Sequence, residues 1–308
     1  MNRPYRFIVL AFIVVLAVFF INAEKSVNKA GPDIQMSVDS SRNTASTYKI
    51  KALKIPENLS FAGEKVELDK TDIKERIDRE LLVNTYWQSN ALLWFKRTHK
   101  YFPVIEPILK EKGVPDDFKY LSVIESDLRN VTSPAGAKGM WQMLEDAGKE
   151  HGLEINDNVD ERYHLEKATR AACDYLIEAK ERLGSWTLAA AAYHGGNYGI
   201  EKRLTEQMVD NYYDVLAGEN TERYIPRIVA AKEILSHPDK YGFVFDKDDL
   251  YEMGPSYTVK VDTAITNIAV FAQKFNTNYK ELKMYNPWLR ENKLNNKSRK
   301  LYEIKIPK

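Results

Sequence analysis

The stretch Tyr120-Leu121-Ser122-Val123-Ile124-Glu125-Ser126 reads as a buried helix with one residue out of place. At roughly 100° per residue, Phe118, Leu121, Ile124 and Leu128 share one apolar arc. Glu125 falls inside that arc, between Phe118 and Leu121. A carboxylate facing a core is costly unless it is paired or protonated. Desolvation raises its pKa, and a carboxylic acid that keeps its proton near neutral pH can act as a general acid. On the helix alone a second reading stands beside this one: a structural Glu at a helix end, half solvated or salt-bridged. The flanking sequence decides between them.

Upstream, Pro115-Asp116-Asp117 opens this helix with a proline and an acidic first turn. From Asp69 the pattern is helical throughout. Ile73, Ile77, Leu81 and Leu82 begin a long amphipathic helix, expected to run through Trp87 to Phe95. Pro103 is expected to break it, leaving a short helix over residues 104–110 that Gly113 ends. Downstream, Ser133-Pro134-Ala135-Gly136-Ala137-Lys138-Gly139 reads as a loop, with a helix restarting at Trp141-Gln142-Met143-Leu144. Residues 166–183 form a clear helix whose inner face includes Ala168, Ala172, Leu176 and Ala179. Residues 187–193 are almost all small and apolar, so this short helix is expected to be central; the loop His194-Gly195-Gly196-Asn197-Tyr198-Gly199 ends it. A last helix spans 221–235, interrupted early by Pro226.

The two ends of the chain differ from this middle. Met1-Asn2-Arg3-Pro4-Tyr5-Arg6 carries two positive charges, and residues 7–21 are an uninterrupted apolar run. This is an export signal, either cleaved after Ala23 or kept as a membrane anchor. No Cys stands near it, which excludes a lipoprotein anchor, and the basic residues before it place the rest of the chain outside the cytoplasm. Expected location is the periplasm or cell envelope. Residues 24–48 read as a polar tether, and residues 49–68 as an irregular or extended arm. At the other end, Tyr257-Thr258-Val259-Lys260-Val261 and Leu301-Tyr302-Glu303-Ile304-Lys305-Ile306 alternate like strands, with short helices over 265–275 and 279–285 between them. The expected units are thus a leader at 1–23, tether and arm at 24–68, a helical domain at 69–241, and a small β-α-α-β domain at 255–308, joined by a linker over 242–254.

Composition bounds function only loosely. The chain has 308 residues, 44% hydrophobic and 29% charged, with a net charge of +1. That balance argues against a dedicated nucleic-acid binder and leaves protein partners open. The 18 Tyr and five Trp suit carbohydrate stacking and plain cores equally. Cys173 is the sole cysteine, so no intramolecular disulfide is possible; it reads as a small core residue. His99, His151, His164 and His237 lack metal-ligand spacing, and no metal or cofactor is expected.

Four segments then line up in order: Glu125-Ser126; Ser133 to Gln142; Ala192-Tyr193-His194-Gly195-Gly196; and Glu222-Arg223-Tyr224-Ile225-Pro226. Each alone is a weak signal. Together, over residues 102–235, they closely resemble the catalytic domain of lytic transglycosylases of the soluble-transglycosylase type, glycoside hydrolase family 23. The Gly-Met-Trp-Gln wording looks most like the membrane-bound transglycosylase D branch. The resemblance implies a mainly α, lysozyme-like fold that cleaves peptidoglycan between N-acetylmuramic acid and N-acetylglucosamine. It implies Glu125 as the sole catalytic carboxylate, Gln142 lining the substrate cleft, Ser133 opening the loop beside the acid, and Tyr224 hydrogen-bonding Glu125. Tyr193 matches the aromatic of the family's Ala-Tyr-Asn motif. His194 stands where the family usually has Asn, either contacting substrate or capping the central helix. The run from Glu125 to Ser133 is one residue shorter than the commonest family pattern.

The residues themselves agree with a lone acid. Ordinary glycosidases need two carboxylates, yet Asp127 points away from the Glu125 face, and nothing marks Glu145 or Asp146 as buried. A single-acid transglycosylase forming 1,6-anhydro ends is the expectation; a hydrolytic muramidase and a non-catalytic murein-binding scaffold are the alternatives. The tail resembles a LysM module, in Tyr257-Thr258-Val259-Lys260, Asp262-Thr263, Tyr285-Asn286-Pro287 and Ile306-Pro307. That likeness implies glycan binding through loops near Asp262, Thr263 and Asn286, although the Gly that normally precedes the Asp-Thr pair is absent.

Overall fold

The computed structural model describes residues 50–308. The expected leader and most of the tether lie outside the described residues, among which no helix is long and apolar enough to cross a membrane. The arm is less irregular than its sequence implies. Strands β1 (Ser60–Phe61) and β2 (Glu64–Lys65) form an antiparallel hairpin with Phe61 opposite Glu64. Its turn residues, Ala62 and Gly63, both have positive φ, which matches the twist of a tight hairpin. Phe61 is fully buried, edge-on to Phe118 with ring centroids 5.0 Å apart. The arm therefore belongs to the core of the helical domain, which runs from Leu59 to Phe243.

Helices α1 (Thr71–Tyr86) and α2 (Gln88–Lys112) meet at Trp87, where ψ of 61° ends the first helix. The break was expected at Pro103 instead. Helix α2 passes through both Pro103 and Pro107 and stops at Gly113, which takes the left-handed conformation with φ of 72°. Both prolines are exposed and lie four residues apart on one strip. The amide Pro107 lacks would have reached the Pro103 carbonyl, so the lost bonds are grouped where water can serve the freed carbonyls. The opposite side buries Ala91, Trp94, Phe95, Ile105, Ile108 and Leu109, which outweighs that loss.

Helix α3 (Lys119–Ser126) carries Glu125, and α4 (Glu145–Glu150) follows the Gly-rich loop. The helix expected at Trp141 thus begins only at Glu145. Helix α5 (Leu165–Leu183) packs on α6 (Trp186–Gly195), the central helix, whose Ala189, Ala190, Ala191 and Ala192 are fully buried. Glu64 of the hairpin caps α6: its carboxylate accepts from the Trp186 and Thr187 amides, each at 2.8 Å. A carboxylate there also complements the helix dipole. The chain bends at Gly196, φ 74°, and continues as α7 (Asn197–Gln207), where only a loop was expected. Ile200 anchors α7 to the core. After α8 (Glu219–Glu222), Arg223 interrupts the last helix, and α9 (Tyr224–Ser236) begins. Pro226 sits in the first turn of α9, where a missing amide costs little.

The C-terminal unit is the expected β-α-α-β. Strands β3 (Ser256–Val261) and β4 (Tyr302–Pro307) pair antiparallel, from Ser256 opposite Pro307 to Val261 opposite Tyr302. Between them lie α10 (Ile268–Gln273) and α11 (Tyr279–Tyr285). Helix α10 starts three residues later than the pattern implies. Ile265 bridges to Leu294, and the Asn267 side chain caps the Ala269 and Val270 amides. This unit shares its core with the helical domain: Val159 and Tyr163 belong to the same apolar cluster as Trp288, Leu289 and Ile304. The seam is hydrogen-bonded by Asp160 N to Trp288 O at 2.9 Å and by Arg290 N to Asn158 O at 2.8 Å.

Candidate active site

Glu125 occupies the last turn of α3, and the chain then turns sharply through Asp127 and Leu128, both with positive φ. Asp127 points away, as expected: its carboxylate accepts from Trp94 Nε1 at 2.8 Å and pairs with Arg129. Glu125 itself meets α9. The Tyr224 hydroxyl donates to Glu125 Oε1, the contact that the family resemblance implies. Burial pushes the Glu125 carboxyl up to about 7; the Tyr224 hydrogen bond and the Arg227 charge pull the other way but do not cancel it. Burial also holds Tyr224 well above its ordinary value, so this phenol is a donor. Among the described residues the one charged side chain that acts on Glu125 is the cation Arg227, and no carboxylate does so.

The Gly-rich loop is tied to three helices, α3, α5 and α6. Ser126 Oγ donates to the Met140 carbonyl at 2.7 Å. Trp141 is fully buried, and its Nε1 donates to Thr169 Oγ1 of α5 at 2.9 Å. Tyr193 of α6 donates to the Trp141 carbonyl at 2.6 Å, so this expected substrate aromatic also serves as a strut for the loop. Ser133 closes the loop on itself, with its Oγ accepting from the Ala137 amide at 3.1 Å. Gln142 takes a left-handed φ of 47°, which is why no helix starts there. Its amide group donates to Gly139 O at 2.7 Å and Val131 O at 3.1 Å, leaving the side-chain oxygen as the group it can offer a ligand.

Beneath the loop lies a buried ion pair that sequence reading missed. Arg162 and Asp160 bond through two contacts, 2.9 and 2.7 Å, and both are nearly inaccessible. The Arg162 guanidinium also reaches the Met143 carbonyl at 3.4 Å. Gly139 presses on this support so closely that a Cβ there would sit 1.9 Å from the Arg162 carbonyl oxygen.

His194 lies in the last turn of α6, and its ring stacks on Tyr224 at 4.8 Å and 17°. Burial, with help from Arg227, lowers its pKa, so the imidazole is neutral near pH 7. Arg227, one helical turn after Tyr224, was missed; its signal was the spacing in Tyr224-Ile225-Pro226-Arg227. Cys173 is buried and its thiol is pushed up to about 12, which suits a core residue.

In the C-terminal unit, Asp262 pairs with Arg299 at 2.7 Å and Thr263 is exposed. Asn286 does not present itself to a glycan. It is fully buried, donates to the Leu282 and Lys305 carbonyls, and accepts from the Lys305 amide. All its hydrogen-bonding capacity toward the chain clasps α11 to β4, a structural role in place of the expected binding one.

Comparison with known proteins agrees with this geometry. The transglycosylase SLT domain matches residues 103–215, and the soluble lytic transglycosylase C-terminal LysM-like domain matches residues 257–308. Two similar proteins are the membrane-bound lytic murein transglycosylases D of Escherichia coli strains K12 and O6:H1, each 24% identical over 192 residues. The match covers 59% of this chain and spans 42% of the length of those relatives. Residues 103–215 are therefore a lysozyme-like transglycosylase SLT domain, and residues 257–308 a LysM-like domain of the soluble lytic transglycosylase type.

Proposed function

We propose that this protein is an exported, envelope-attached peptidoglycan lytic transglycosylase with Glu125 as its only acid and base. The observation that carries this reading is a recessed carboxyl held at about 7, hydrogen-bonded by Tyr224 and without a carboxylate partner among the described residues. The E. coli relatives are named for murein cleavage and for membrane attachment, and the apolar run at residues 7–21 supplies a leader or anchor.

The chemistry follows from one group used twice. Protonated Glu125 gives its proton to the glycosidic oxygen as the bond from C1 to that oxygen breaks. The acetamido oxygen of the muramyl sugar closes onto C1, giving an oxazolinium intermediate. Glu125, now a carboxylate, takes the proton of the C6 hydroxyl as O6 attacks C1 and displaces the acetamido oxygen. Glu125 ends protonated, and a 1,6-anhydro ring replaces a hydrolysed end. Tyr224 and Arg227 stabilise the carboxylate between the two steps. Ser133, Gln142 and His194 line the substrate cleft, with Tyr193 holding the loop. Asp262 and Thr263 are the glycan-facing groups of the LysM-like domain.

A pH profile tests the assignment. Turbidity loss of a murein suspension should fall as pH rises through about 7, because the acid must start protonated. Tyr224→Phe removes a bond that favours the carboxylate. Its alkaline limb should move to higher pH while the maximal rate drops roughly tenfold or more. A profile unchanged by Tyr224→Phe contradicts the assignment.

A further inference from the structure

The geometry points to a second ligand site at the seam between the two domains, one that takes a short carboxylate-bearing peptide rather than a sugar. This rests on the peptidoglycan reading above, since the stems of that polymer are such peptides. The seam holds a cavity of about 310 Å³, at the lower end of the range for small-ligand pockets. Five parts of the chain line it: α2, the loop around Met140, the start of α5, the linker and the LysM-like domain. None of Glu125, Ser133, Gln142, Tyr193, His194 and Tyr224 does so, which makes it distinct from the cleft.

Its walls combine apolar and cationic groups. Met140, Met253, Met284 and Pro287 offer adaptable apolar contact, suited to small side chains. An adjoining depression shares Lys100, Tyr101, Asn130 and Met140 with it. Across both, Arg97, Lys100, Arg129 and Lys305 face a single carboxylate, Glu166. Three of these cations are engaged: Lys305 with Glu166, Arg129 with Asp127, and Arg97 with the Asp127 carbonyl. Burial raises the Glu166 carboxyl, but His164 and Lys305 outweigh it and hold it at about 2, so that pair stays formed. Lys100 is different. It has no carboxylate partner among the described residues, and its ammonium lies over the Tyr101 ring at 5.3 Å. A neutral N-acetylglucosamine oligomer would leave this charge unused, whereas a peptide carboxylate would pair with it in a partly desolvated setting.

Calorimetric titration of the full chain carrying Glu125→Gln tests this. The probe is a sugar-free stem tetrapeptide, with its carboxyl-amidated form and an N-acetylglucosamine tetramer as comparisons. Saturable binding of the free acid is expected, weakened roughly tenfold or more by amidation or by Lys100→Gln. Lys100→Arg should retain binding, and Lys100→Gln made in the protein that keeps Glu125 should still cleave peptide-free glycan strands. No saturable tetrapeptide binding, or binding indifferent to amidation and to Lys100→Gln, overturns the site. Stronger binding of the sugar tetramer that Lys100→Gln reduces also overturns it. Failure of the transglycosylase reading shows separately, as wild-type protein that releases no anhydro fragments.

Discussion

Glu125→Gln should reduce murein cleavage by about 10³- to 10⁴-fold, the upper part of the range for losing an acid–base group. The size follows from the proposed mechanism, in which the same carboxyl serves both proton transfers, and from the site, where no carboxylate among the described residues acts on Glu125. The substitution should also stabilise the fold, and that gain should depend on pH. The folded-state pKa of Glu125 is raised from 4.5 to about 7. Below pH 4.5 folded and unfolded chains both hold the proton, and Gln confers no such advantage. As pH rises toward 7 the unfolded chain ionises freely, while the folded chain must retain the proton or bury a charge. By linkage, the wild-type stability from the protonated form is lost through this window, reaching about 3 kcal/mol above pH 7. Thermal melts of the two proteins should therefore coincide near pH 4 and diverge up to about pH 7. Glu125→Gln melting at or below wild type at pH 8 would show that burial does not strain this carboxyl.

Gly139→Ala should be among the most damaging single-methyl changes in the chain. Its Cβ would stand 1.9 Å from the Arg162 carbonyl oxygen and 2.8 Å from the carbonyl carbon, and φ is +80°. Both atoms are backbone, so no side chain can swing aside. Relief requires moving residues 160–163, which hold the Arg162–Asp160 pair and the bond from Asp160 N to Trp288 O. We expect a loss of roughly 4 kcal/mol or more, the range reserved for a broken buried network or forced backbone, together with loss of activity. Gly136→Ala is the internal control. It shares the positive φ, at +84°, but its Cβ would meet nothing within 4 Å. The left-handed penalty alone, about 1–2 kcal/mol, should apply there. Denaturant unfolding of both variants compares them directly; equal midpoints would mean that the loop does not rest on Arg162.

Local patterns made the helical plan legible. The misfit of Glu125, the alanine-rich central helix and the alternating tail strands each follow from periodicity over a few residues. What escaped reading depends on contacts between distant segments. Trp87 breaks a helix that Pro103 and Pro107 do not, because the prolines share a wet face. Phe61 and Glu64 lie in a short arm whose value appears only when it meets Phe118 and the start of α6. Gln142 reads as helical until the loop forces its backbone into a left-handed turn. Asn286 carries a motif's lettering, yet its amide is consumed between α11 and β4. The Arg162–Asp160 support left no periodic trace, since two charges two residues apart look like surface until a loop covers them.

Mass analysis of fragments released from purified murein in heavy-oxygen water tests the lone-acid account most directly. The account predicts muramyl ends one water lighter than hydrolysis products, carrying no heavy oxygen, and absent with Glu125→Gln. Reducing muramyl ends labelled with heavy oxygen would contradict it, because water and not the C6 hydroxyl would then have attacked C1.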